Sequence, residues 1–162
     1  RTFSDYSRLC LYATADPPDA ASVQHPLDLD LGHGIRLAGF DLHPVDGHVA
    51  AGDVLRLSLL WESTGTPESD YIVFVQIVGP DGQLVWQQDH MPADGFSPTS
   101  DWLTGGQVRD NYGLIVPAEW TPGTYRLIAG MYDPQSGDRL HITGASGDYV
   151  QLSEITNVTA QP

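Results

Sequence analysis

A chain of 162 residues is long enough for one ordinary domain with a two-layer core. Its formal charge of -14, built from 17 Asp, 4 Glu, 7 Arg and no Lys, argues against nucleic acid or an anionic membrane surface as partner, since both call for a basic patch. Cys10 is the single cysteine, so there is no disulfide framework and no cysteine metal cluster. No apolar run approaches the ~20 residues of a membrane span, so direct insertion by this segment is not expected.

Residues Arg1 to Pro26 mix aromatic, small and polar side chains around Asp16-Pro17-Pro18-Asp19, an extended break that neither a helix nor a central strand tolerates. We expect residues 1–26 to be a linker or edge segment. Because the chain opens on Arg1, we also expect it to be a piece of something longer. Leu27, Leu29 and Leu31 alternate with Asp28 and Asp30, and Gly32 and Gly34 then turn the chain into Ile35 to Leu42, a first hairpin.

Leu55, Leu57, Leu59 and Trp61 share one face of a strand from Asp53 to Trp61, opposite Arg56, Ser58 and Glu62. Tyr71 to Val78 is almost wholly apolar and β-branched, which suits a central strand. Gly79-Pro80-Asp81-Gly82 turns it back into Gln83 to Asp89, a second hairpin. His90 to Gly106 has no regular period and reads as a long loop.

Gln107 to Val116 resumes a strand, with Val108, Tyr112, Leu114 and Val116 alternating against Arg109, Asn111 and Ile115. Pro122 and Gly123 make a turn into a strand whose Tyr125, Leu127, Ala129 and Met131 fall on one face. Asp133, Pro134 and Gly137 supply another turn, and Arg139 to Ile142 is read as its returning strand. Tyr149 to Ile155 is the last strand, and 157–162 a tail. Tyr125, two residues past Pro122-Gly123 at a strand start, stands where sandwich folds keep a tyrosine whose hydroxyl bonds to nearby backbone. Eight or nine short strands and no helical period predict an all-β domain over 27–156, an antiparallel β-sandwich of immunoglobulin or fibronectin type.

Motifs for chemistry are missing. Gly144-Ala145-Ser146-Gly147 lacks the G-x-S-x-G spacing, and Gly32-His33-Gly34 lacks the third glycine and the βαβ context of a dinucleotide fingerprint. The six His follow no metal-ligand spacing, although His33, His43 and His48 lie near turns at one end of a hairpin. Asp28, Asp30, Asp46 and Asp133 leave open a calcium-stabilised, adhesion-type domain, without any EF-hand pattern. The four Glu single out no catalytic pair. We therefore expect no catalytic residue, no metal ligand and no cofactor.

Aromatic residues give the one binding hypothesis with some shape, because sugar rings stack on exposed Trp and Tyr. Trp61 and Trp86 fall on core-like alternations, and Trp120 precedes a turn at a sandwich end. Trp102, with Phe96 and Tyr112 nearby, is the candidate platform. Against it stands the simpler reading of a loop tryptophan tucked over the core. Asn157-Val158-Thr159 has the form of a glycosylation sequon and is read as accidental.

Taken as a set, Leu37-Ala38-Gly39-Phe40-Asp41-Leu42, Gly52-Asp53-Val54-Leu55 through Trp61, Asp70-Tyr71-Ile72-Val73-Phe74-Val75, Pro98-Thr99-Ser100-Asp101-Trp102, Pro122-Gly123-Thr124-Tyr125 and Gly130-Met131-Tyr132-Asp133-Pro134 through Gly137-Asp138-Arg139-Leu140 resemble one family. It is the C-terminal domain of bacterial multi-spanning membrane glycosyltransferases of the dolichyl-phosphate-mannose-protein mannosyltransferase-like kind, matched over about residues 35–143. The resemblance implies a β-sandwich appendage on the extracytoplasmic face of a bacterial membrane, with residues 1–26 as tether and a membrane-embedded remainder of the parent chain. Sugar transfer would be the work of that remainder, and no catalytic residue carries over. The expected role is accessory, holding a glycan or a cell-envelope protein, with a carbohydrate-binding module using loop aromatics as the alternative.

Overall fold

The computed structural model describes residues 23–157. Nine strands form two sheets: β1 (His25–Asp30), β2 (Ile35–His43), β3 (His48–Val49), β4 (Val54–Ser63), β5 (Ile72–Val78), β6 (Leu84–His90), β7 (Gln107–Ile115), β8 (Gly123–Tyr132) and β9 (Val150–Asn157). One sheet runs β1-β2-β4-β7 and the other β3-β9-β8-β5-β6. All neighbours pair antiparallel except the two-residue β3, which lies parallel to β9. The expected β-sandwich is the observed fold.

Alternation decides which side chains meet between the sheets. Leu55, Leu57, Leu59 and Trp61 of β4 face Val73, Val75 and Ile77 of β5 and Tyr125, Leu127, Ala129 and Met131 of β8 in one buried core. In β2 the phase changes part way, since Ile35 and Leu37 point inward and so do Phe40 and Leu42. A bulge between Leu37 and Gly39 absorbs the extra residue. Ala38 is thereby turned to the outer face, where it packs with Leu60 and Val23 in a small second cluster.

The tyrosine expectation holds. Tyr125 Oη donates to the Thr121 carbonyl at 2.8 Å, and its ring stacks on Trp120 at 4.6 Å between centroids. Asn157 Nδ2 donates to the carbonyls of Trp120 and Thr121 at 2.9 and 3.1 Å, so β9 closes the same corner. The Asn157 side chain of the sequon is thus spent on structure.

Two boundaries differ from the sequence reading. β1 begins at His25, so the end of the 1–26 segment is an edge strand, while residues 1–22, including Cys10, lie outside the described residues. The strand expected over Arg139 to Ile142 is reduced to a single bridge between Tyr132 and Arg139. β9 takes that edge of β8 as far as Ala129, so only Gly130 to Tyr132 is left for the returning segment, which bonds there through Leu140 N–H to the Met131 carbonyl at 2.8 Å before the chain turns into β9.

Candidate functional site

The long loop was the expected place for exposed aromatics. It is instead clamped to the core. Thr99, fully buried, donates its hydroxyl to the Ser69 carbonyl at 2.6 Å and accepts the Tyr71 N–H at 2.9 Å. Trp102 is 4% exposed, its indole N–H shared between the Ser97 carbonyl and hydroxyl at 3.1 and 3.0 Å. Tyr112 points inward from β7 and is buried as well. Of the three rings proposed as a platform only Phe96, 73% exposed, reaches solvent. The reason is register: Tyr112 pairs with Leu57 on the inner face, and the short turns at Ala93–Gly95 and Thr99–Asp101 fold Trp102 inward.

Tyr112 belongs to a different constellation. Its hydroxyl donates to Asp110 Oδ2 at 2.7 Å, and its ring stacks on His90 of β6 at 4.7 Å and 14°. Asp110 Oδ1 accepts the Ala93 N–H at 3.0 Å and lies 3.8 Å from His90 Nδ1. That nitrogen is also 2.8 Å from the Met91 carbonyl, while His90 Nε2 is buried with no hydrogen-bond partner. Burial raises the Asp110 carboxyl to about 6 against the pull of Tyr112, His90 and the Ala93 amide, and holds the Tyr112 hydroxyl far above its ordinary value, with the Asp110 charge adding to the effect. Asp110 sits in phase with Val108 and Tyr112, so the alternation pointed at it. An acid and a base are therefore within reach, but the side chains are only 1% and 12% exposed. No substrate can approach this pair in the closed fold. A neighbouring gap of about 10 Å³ between the sheets, lined by Leu55, Val75, Trp86 and Tyr112, has room for one water at most.

The open recess lies elsewhere, on the outer face of the five-stranded sheet. It has a volume of about 180 Å³ and is lined by Phe74 and Gln76 of β5, Asp89 of β6, Tyr132 of β8, and Gly137 and Arg139 of the following turn. Phe74 pairs with Gly130, where a Cβ would come within 2.5 Å of its ring, so the glycine leaves the ring room to lie on the sheet. Arg139 covers that ring, its guanidinium carbon 4.2 Å from the centroid. Arg139 also donates to Gln76 Oε1 at 3.3 Å and stands 4.0 Å from Asp148. Across the recess, burial raises the Asp89 carboxyl although a Tyr132 hydrogen bond and the Arg139 and His90 charges oppose it. Burial and the Asp89 charge raise the Tyr132 hydroxyl in turn. Donors, an acceptor and an aromatic ring are thus fixed around one ring-sized space. Sequence reading missed the site because its members come from three strands and a turn, and each looks ordinary in its own segment.

Among the described residues no group of three or more His, Cys, Asp or Glu is placed to hold a metal ion. Likewise no helix is long and apolar enough to cross a membrane.

No protein-family model matches the chain, and no curated protein matches it. Solved structures do. The C-terminal domain of wzt is similar with a TM-score of 0.51 and 9% identity, over 79% of this chain and 75% of that one. A CARDB domain from Pyrococcus furiosus, in complex with di-metal ions, has a TM-score of 0.46 and 12% identity, over 74% and 89%. The alkylpurine DNA glycosylase AlkC of Pseudomonas fluorescens, bound to DNA, has a TM-score of 0.42 and 14% identity, over 78% of this chain and 31% of that one. At 9% identity the likeness to the wzt domain is one of fold alone, the β-sandwich.

Proposed function

We propose that this domain is a non-catalytic accessory module that holds a glycan or a cell-envelope protein against the outer face of its five-stranded sheet. Its setting, following the family resemblance, is the extracytoplasmic side of a membrane glycosyltransferase. The observation that carries the reading is the recess between Phe74, Asp89, Tyr132 and Arg139. Its polar groups are positioned by the fold before any ligand arrives, which lowers the ordering cost of binding. The enclosure of the Asp110–His90 pair supports a non-enzymatic role, since acid–base catalysis needs a group within hydrogen-bond reach of substrate. On the sheet face the ring left for a sugar is that of Tyr132, because Phe74 is buried beneath Arg139.

Calorimetric titration of the domain with polysaccharides and proteins extracted from a bacterial envelope tests the proposal, alongside an assay for turnover of activated sugars and glycosides. Saturable binding without turnover is the expected result. Turnover by this domain, or no binding of either class, overturns it.

A further inference from the structure

The chemistry of the recess narrows what it can hold. Resting on the reading above, we infer that the recess takes a neutral sugar, gripped by a neighbouring pair of hydroxyl groups between Arg139 and Asp89, and that it discriminates against acidic sugars. Arg139 supplies N–H donors only and the Asp89 carboxylate supplies acceptors only. A group that satisfies both sides must itself donate and accept, and a hydroxyl pair does so.

The donor side is set in place before binding. Arg139 lies over the Phe74 ring at 4.2 Å, is tied to Gln76 at 3.3 Å, and keeps N–H groups beyond those directed at Gln76 and Asp148. Tyr132, half-buried, places an aromatic ring beside Asp89, a surface suited to the C–H face of a pyranose. A volume of about 180 Å³ is below the roughly 300–1,000 Å³ of drug-sized pockets and suits one ring rather than a chain segment.

Charge disfavours an acidic ligand. Arg139 is the one cation in the lining, with Asp89 across from it and Asp148 at 4.0 Å, in a chain of formal charge -14. A carboxylate ligand would meet two fixed carboxylates and a repulsive long-range field. A neutral polyol meets no such repulsion.

The test compares neutral hexose hexasaccharides of gluco, manno and galacto configuration with a hexagalacturonate, by calorimetry on the wild-type domain and on Arg139→Lys and Asp89→Ala. Glu154→Ala, on β9 of the same sheet and outside the recess, is the control. We expect at least one neutral series to bind at least tenfold more tightly than the acidic one. Both recess variants should lose at least tenfold of that affinity, with melting temperatures within a few degrees of wild type, and Glu154→Ala should bind as wild type does. Equal or tighter binding of hexagalacturonate, or recess variants that bind normally, overturns the inference. So does binding of envelope polysaccharide without binding of any neutral hexasaccharide, an outcome that leaves the accessory role standing. No binding of any polysaccharide or envelope protein removes both.

Discussion

Replacing Asp110 by Asn removes a charge from the sandwich interior while keeping the shape that fills it. The carboxyl is raised from 3.8 to about 6 in the folded protein, burial being the largest cause. Between those values the native state binds a proton that the unfolded chain has released, so stability falls as pH rises through this window. The drop is about 1.4 kcal/mol per unit, hence about 3 kcal/mol between pH 4 and pH 7, constant above that. Asn can still accept the Ala93 N–H, and its amide can donate to the Tyr112 oxygen, at a cost of about 1–2 kcal/mol for the amide proton and the Tyr112 hydroxyl proton left without acceptors. The variant should therefore be about 1–2 kcal/mol more stable than wild type at pH 8, or roughly 2–8 °C in melting temperature, and about 1–2 kcal/mol less stable at pH 4. Urea unfolding at half-unit steps from pH 4 to pH 8 measures it. Taking the difference between the two proteins cancels the other carboxylates. Parallel stability curves would show that Asp110 does not titrate in this window and would refute the reasoning.

Three other outcomes are expected. Trp102→Ala should cost about 3–5 kcal/mol in chemical denaturation, because the indole is buried and bonded to Ser97; unchanged stability would mean that the loop does not hold it there. Tyr125→Phe should cost about 1 kcal/mol for the lost bond to Thr121, whose carbonyl keeps Asn157 as donor, and equal urea midpoints would contradict that corner. Melting with and without a calcium chelator should give the same midpoint, since a stabilising ion would raise it by an amount that grows with the logarithm of its concentration over its Kd.

The two kinds of site differ in how far the sequence exposes them. Asp110 was readable in principle: it stands two residues from Tyr112 on an otherwise apolar alternation, and a polar residue in that phase marks a buried polar contact. The recess was not. Phe74 is part of an apolar strand, Asp89 lies one residue before the end of an edge strand, and Arg139 follows a turn, and nothing in those segments says that they meet. For Trp102 the sequence left two readings, an exposed platform and the simpler one of a loop tryptophan tucked over the core, and the contacts of Thr99 and Ser97 decide for the second.

What the sequence determined by itself is the layer structure. Two-residue alternation in β4 and β8, the apolar run of β5 and the Pro-Gly entry to Tyr125 are local properties, and they suffice for two sheets closing on one core and for the tyrosine that pins a corner. What only the tertiary structure decided is which strands lie side by side. That order brings Arg139 over Phe74 and His90 beside Asp110, across 65 and 20 residues of chain respectively. Contacts at such separations depend on sheet order and register, which the periodicity of a single strand does not encode.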